Sequence, residues 1–395
     1  MKKIILVSML LAFILCGCDK KQEEPVPEEQ ERAEEIKAEG LATIHEEEFG
    51  GVYIKMTIDE FNALGFAYGD SVDVIFSNGY TLNDIPYYNG YYVDAGQPLL
   101  IAYPGYDFIK AAINYGADLW QEANLKAGKR EDLWLSASLD EHSTATIVLK
   151  EKGKFLDVQE SSDIHYYDEI ERYPNEIVFA NFRNIEMGNI AKGRVYRSAS
   201  PCDDQHKRAP YVDKLIREAG VNYILDLADN EVKIERYIAA EDFSSDYFLS
   251  LYKEGKVFPA GLNMNYLSQD FAQKLAQGFI AMSENEGPYL IHCTEGKDRT
   301  GFVCMVLEAL AGADYVSIRD DYMKTYDNYY KINERSDLKK YESILNRNIE
   351  AMLRFIVNDE SIDTHDCDLS KYARAYLIDA GMSESQIETL LKKTG

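Results

Sequence analysis

Cys293 and Arg299 are separated by five residues in the stretch His-Cys-Thr-Glu-Gly-Lys-Asp-Arg-Thr-Gly, positions 292–301. A loop of that length can turn its backbone N–H groups inward. Together with the positive end of a following helix, they form a cradle for an anion the size of phosphate. Thr294, Glu295, Gly296, Lys297, Asp298 and Arg299 would line it. The helix dipole and the Arg299 guanidinium favour the thiolate of Cys293, which is the form that attacks phosphorus. Arg299 can grip two phosphate oxygens with its planar fork, a geometry lysine lacks. Gly296 and Gly301 allow a tight turn and close approach of backbone to ligand. Thr300 brings a hydroxyl that can hydrogen-bond the sulfur and ease its departure from a phosphocysteine. Asp298, on the loop rim, lies within reach of a leaving ester oxygen and is the first choice of general acid, ahead of Asp226 and Asp229. Lys297 adds positive charge, either for a second phosphate or as support for one dianion, and Glu295 works against a strongly polyanionic ligand.

Such a loop must be held between a strand and a helix. Tyr289 to His292 reads as a short strand after the break at Gly287-Pro288, and Phe302 to Leu310 as an apolar helix ended by Gly312. Upstream, Pro210 to Ala219 reads as a helix with proline in its first turn and Gly220 past its end. Val221 to Leu227 suits a buried strand, and a helix is expected from Gln269, after the capping Ser268, to Glu284. Strand and helix patterns alternate from about residue 170, which predicts an α/β domain with a central, mainly parallel sheet flanked by helices.

The 292–301 stretch in that context resembles the signature of the cysteine-dependent phosphatases, the tyrosine phosphatase superfamily. The form HCxxGKDRTG is similar to that of the bacterial atypical tyrosine phosphatases that also accept phosphoinositides. Asn181-Phe182-Arg183-Asn184 and Gly193-Arg194-Val195-Tyr196-Arg197-Ser198-Ala199 resemble that family's amino-terminal elements. The tail Tyr372 to Leu377 with Ala380 to Ser383 resembles its closing helices, so the likeness covers roughly 175–393. The sequence departs from the family where Asp-Leu-Arg would stand, reading Asp226-Leu227-Ala228, and it lacks the Gly-Gly after the first element. Many relatives carry their acid on a separate loop, and the corresponding Val257 to Asn263 has no carboxylate. An Asp in the Asp298 slot resembles instead the arrangement of myotubularin-type lipid phosphatases. The resemblance implies a phosphomonoesterase with Cys293, Arg299, Asp298, Thr300 and His292 at its centre. Its substrates would be phosphotyrosine, with phosphoserine, phosphothreonine or phosphoinositides as further candidates. An inositol phosphatase and a catalytically silent phosphate-binding module are the competing readings.

The rest of the 395 residues sets the context. Acidic residues outnumber basic ones 68 to 42, a net charge of −26, which makes the chain a poor candidate for gripping nucleic acid, where a basic footprint is expected. Residues 1–18 read as a leader: Lys2 and Lys3, an apolar run from Ile4 to Leu15, then Leu15-Cys16-Gly17-Cys18. That ending resembles a bacterial lipobox and implies a lipid on Cys18 and an extracytoplasmic, membrane-anchored protein. Residues 19–40 are too polar to fold alone and read as a tether. Residues 41–165 read as a smaller β-rich domain of unknown role, preceding the phosphatase-like domain at 170–395. Hairpins are expected at Asn78-Gly79 and Asn89-Gly90, and a helix over 107–124 with Phe108, Ala111, Ala112, Tyr115 and Leu119 on one face. No cofactor and no metal is implied. Cys202-Asp203-Asp204-Gln205-His206 holds possible ligands, but no second cluster at zinc-like spacing completes them.

Overall fold

The computed structural model describes residues 35–47, 49–126 and 143–395. The leader, Cys18 and residues 19–34 of the expected tether lie outside the described residues. Seven strands close into a barrel: β1 (Lys37–Glu46), β2 (Gly51–Thr57), β3 (Ser71–Phe76), β4 (Thr81–Tyr88), β5 (Pro98–Ile101), β6 (Phe108–Ile113) and β7 (Thr144–Glu151). Their order is β1-β2-β6-β5-β4-β3-β7, with β7 pairing back onto β1. β1 starts at Lys37, inside the stretch expected as tether. Alternate residues fill the interior, among them Val52, Ile54, Val72, Val74, Phe76, Tyr87, Leu100, Ile109 and Ile147.

The Asn78-Gly79 hairpin forms between β3 and β4, with Gly79 at φ +91°. The second hairpin does not. β4 ends at Tyr88 and pairs in parallel with β5, while the Asn89 side chain is captured by Gln159 at 2.6 Å and Asp163 at 2.8 Å. The helix expected over 107–124 is also absent. Phe108–Ile113 is strand β6, held between β2 and β5, and only Leu119–Glu122 is helical. Both faces of β6 are covered: Ile109 and Ala111 enter the barrel core, and Ala112 packs outside against Tyr88, Leu99 and Ile101. A strand buried on both faces loses the alternation that marks strands and mimics a helical stripe.

The carboxy-terminal half is built on β8 (Arg183–Ile185), β9 (Val195–Ser198), β10 (Tyr223–Asp226), β11 (Val257–Pro259) and β12 (Tyr289–His292). Their order is β11-β10-β12-β9-β8; three pairings are parallel and β8–β9 is antiparallel. The chain is thus mixed α/β, a barrel followed by a sheet with helices. Leu225 and Ile291 enter one core cluster and Ile224 and Leu290 the other, as period-2 alternation requires. The helix Gln269–Glu284 begins as expected, with the Ser268 hydroxyl accepting from the Phe271 N–H. The register sets Asp226 and Ser198 on either side of His292, so β9, β10 and β12 end in one row. From Ile36 onward the chain is one compact unit. The two halves meet through loops and helices: Arg347 Nη1 donates to the Tyr92 carbonyl at 2.8 Å, and the Tyr115 and Tyr266 rings lie 5.2 Å apart.

Candidate active site

The loop after β12 leads into a helix that starts at Asp298, four residues earlier than the sequence suggested, and runs to Leu310. Asp298 to Gly301 therefore form its first turn. Every residue from Thr300 to Leu310 is buried, so this helix sits in the core and its amino end is fixed. Cys293 is buried at the start of the loop.

Three loop carbonyls are tied from outside, and that of Lys297 accepts from the Gly301 N–H at 2.8 Å. Ser200 N–H donates to the Thr294 carbonyl at 3.0 Å, the Tyr329 hydroxyl to that of Glu295 at 2.7 Å, and Asn181 Nδ2 and Arg197 Nη2 to that of Gly296 at 3.2 and 3.1 Å. With the carbonyls turned out, the N–H groups of Thr294, Glu295, Gly296 and Lys297 find no protein acceptor among the described residues. Arg299 Nη1 donates to the Leu262 carbonyl at 3.0 Å and Nη2 to the Thr294 hydroxyl at 3.4 Å, while its buried Nε has no partner. A buried donor without an acceptor, as at Arg299 Nε, is rare. A ring of amides plus one guanidinium N–H suits an oxyanion.

Gly296 is the hinge of this arrangement. It stands at φ +68°, and a Cβ there would meet the Ser198 carbonyl oxygen at 2.2 Å and its carbon at 2.4 Å. Neither neighbour is a movable side chain. Gly296→Ala is expected to push the loop off β9 and lower turnover by about 10²-fold or more, because ångström displacements of reacting groups carry effects of that size. Steady-state kinetics on an aryl phosphate check this; a variant within threefold of the parent would contradict the geometry.

Beneath the loop lies a polar frame that sequence reasoning had only half identified. Arg183 Nε reaches Asp321 at 2.6 Å, its Nη1 reaches the Asn181 side chain at 2.7 Å, and Arg197 Nη1 pairs with the other Asp321 oxygen. Asn181 also donates to Thr325 at 3.1 Å and accepts from Asn328 at 2.9 Å. Asp321, Thr325 and Asn328 were missed. They stand at i, i+4 and i+7 on the helix Tyr315–Tyr330, a polar stripe on an otherwise buried face that could have flagged them. Arg183 and Arg197 belong to the two amino-terminal elements singled out earlier, and their role here is to hold the loop.

At the rim, Lys297 Nζ lies 2.9 Å from Glu295 and 3.1 Å from the Tyr330 hydroxyl, so its charge is already matched. Burial would push Glu295 up, but Lys297 and His206 outweigh it and hold the carboxyl down at about 2. The Tyr166 hydroxyl donates to Glu295 at 3.0 Å. Burial raises the Asp298 carboxyl above its ordinary value, with Lys297 opposing. Tyr103 and Tyr115, both from the barrel, stand close enough to feel the Asp298 charge.

Other expected site residues lie behind the loop. The Thr300 hydroxyl is buried without a partner, and no hydrogen bond joins it to Cys293 among the described residues. His292 is fully buried, and burial lowers it to about 4. Asp226 and Asp229 are buried as well; burial raises each to about 7, with Asp226 a second cause for Asp229. Asp226 Oδ1 accepts from the N–H groups of Ala228 and Asp229, both at 3.1 Å. Cys202, Asp226 and Asp229 bring one potential ligand atom each to within 4.8 Å of one another. All four described cysteines, Cys202, Cys293, Cys304 and Cys367, are free. Among the described residues no helix is long and apolar enough to cross a membrane.

Residues 179–394 match a family model described as the tyrosine phosphatase family. A comparison with curated proteins found no match.

Proposed function

The chain belongs to the tyrosine phosphatase family, and from that footing we propose that it is a phosphomonoesterase working through a phosphocysteine at Cys293. The observation that carries the reading is a set of donors without a protein acceptor among the described residues, four loop N–H groups and Arg299 Nε, beside a buried cysteine. Cys293 attacks phosphorus as the thiolate. The bond from phosphorus to the ester oxygen breaks while Asp298 gives that oxygen its proton, and the loop amides with Arg299 hold the equatorial oxygens. Water then attacks phosphorus, the Asp298 carboxylate takes its proton, and the sulfur leaves as thiolate with release of inorganic phosphate.

Asp298 is the acid of choice because it sits on the helix's first turn at the rim, while Asp226 and Asp229 are buried behind the loop. Burial raises its pKa, which favours the protonated form the first step needs. The aromatic rim of Tyr103, Tyr166 and Tyr330 favours an aryl phosphate such as phosphotyrosine. Lys297, already paired with Glu295, speaks against a second phosphate subsite for inositol lipids. The lipobox-like Leu15 to Cys18 supports a lipid-anchored, extracytoplasmic enzyme.

Asp298→Asn tests the acid. The first step needs the protonated carboxyl, so the parent's rate falls as pH rises through its pKa, and the variant should lose that limb. Alkyl phosphates, poor leaving groups, should slow about 10²-fold or more, and activated aryl phosphates much less. Equal slowing of both classes would move the acid elsewhere. A panel of phosphotyrosine peptide, phosphoserine peptide and inositol lipid tests the substrate class; preference for the lipid would overturn the aryl reading.

A further inference from the structure

We propose that Cys202, Asp226 and Asp229, with His292 beside them, form a binding site for a zinc-like divalent cation behind the phosphate loop. From sequence, Cys202 had no second cluster to complete it. The sheet supplies one, because β9, β10 and β12 end in the same row and the loops leaving them converge. Cys202 Sγ lies 4.0 Å from Asp226 Oδ2, and His292 Nε2 lies 3.9 Å from the same oxygen. In a tetrahedral zinc site with bonds of about 2.0–2.3 Å, neighbouring ligand atoms are about 3.3–3.8 Å apart, so these two separations need to close by only tenths of an ångström, while Cys202, Asp226 and Asp229, all within 4.8 Å of one another, need to close by at most about 1.5 Å and His292 turns in from beside them.

Two orphaned atoms point to a cation independently of the cluster's shape. His292 Nε2 and Asp229 Oδ2 are both buried with no hydrogen-bond partner, and both residues are at most 1% exposed. The remaining atoms of each ligand are oriented as metal sites require. His292 Nδ1 faces the Cys293 carbonyl at 3.4 Å, which leaves Nε2 with its lone pair. The Tyr237 hydroxyl donates to Asp229 Oδ1 at 3.3 Å, and two backbone N–H groups occupy Asp226 Oδ1. Ser200 Oγ lies 3.4 Å from the Cys202 sulfur. A thiolate, an imidazole and two carboxylates favour zinc over calcium or magnesium, which prefer oxygen alone. A cleft of about 280 Å³ lined by Cys202, Asp203, Tyr237 and Asp242 gives a route in. A cation there would tie together the chain ends of three strands. It would also neutralise two carboxylates that otherwise face a dianion from behind.

Cobalt is the probe. The full chain, stripped by a chelator, should take up one equivalent of Co²⁺ with the intense sulfur-to-cobalt charge-transfer band of a thiolate ligand, and Zn²⁺ should displace it. Cys202→Ser should abolish the band and weaken binding about tenfold or more, while Cys293→Ser should leave both unchanged. Absence of saturable binding would overturn the site. So would a band that survives in Cys202→Ser and disappears in Cys293→Ser, because the metal would then sit on the other sulfur. Should Cys202→Ser fail to fold, Asp229→Asn serves: a loss of affinity of similar size supports the site, and unchanged affinity refutes it. None of these readouts depends on hydrolysis, so they stand or fall apart from the proposed activity.

Discussion

Cys293→Ser is expected to lower turnover of an aryl phosphate by at least about 10⁴-fold, because a serine hydroxyl cannot ionise in this loop and no other nucleophile stands at its start. Binding of an oxyanion should survive. The loop and Arg299 are held by Ser200, Tyr329, Asn181, Arg197 and Leu262, and among the described residues none of these hydrogen-bonds the Cys293 sulfur. Titration calorimetry with tungstate should therefore give an affinity within a few-fold of the parent, alongside kinetics at the floor of detection. Retained turnover would refute the phosphocysteine. Loss of tungstate binding together with turnover would mean that the sulfur holds the cradle open, contrary to the carbonyl contacts.

Asp321→Asn should be the most destabilising single change in the phosphatase half. Its carboxylate is the counter-charge to both Arg183 and Arg197 among the described residues, and Arg197 is 1% exposed. Breaking a buried pair by removing one partner leaves charge without compensation, at about 3–5 kcal/mol. Burial raises Glu308 well above its ordinary value and Asp321 raises it further, so the variant relieves the second cause and lets the Glu308 carboxyl answer the arginines in part. The lower end of that range is therefore expected, and Asp321→Asn combined with Glu308→Gln should reach the upper end. Urea unfolding of the two variants reads this directly. A loss below about 1 kcal/mol in both would show that water, not Asp321, answers the arginines. Since Arg197 and Asn181 hold the Gly296 carbonyl, activity should fall with stability in the single variant.

The phosphate loop was legible because its causes are local. A short strand after the Gly287-Pro288 break, a glycine that must turn left-handed and an apolar helix all lie within 287–310, and no distant residue is needed to decide their type. The same holds for Ser268 and the helix it caps. The barrel was legible only where a turn decides the matter, at Asn78-Gly79. At Asn89-Gly90 the side chain that would favour a turn is captured by Gln159 and Asp163, residues whose positions depend on barrel closure. At 107–124 the apolar spacing fits a helix as well as a doubly buried strand, and pairing with β2 and β5 selects the strand. The site's supports divide the same way. Arg183 and Arg197 carried a recognisable local pattern, while Asp321, Thr325 and Tyr329 reach the loop only by the docking of one helix. Cys202, Asp226 and Asp229 come together through strand register alone.

In the barrel, β7 returns to β1, and every strand already has two hydrogen-bonded neighbours. Such a cylinder has no rung free to lend. Copies crowded side by side could not zip together through it, and a peptide bearing a phosphate could not extend it as an added strand. Any recognition by this half of the protein must pass through side chains and loop tips, and Tyr103 and Tyr115 already lean toward the phosphate loop from there.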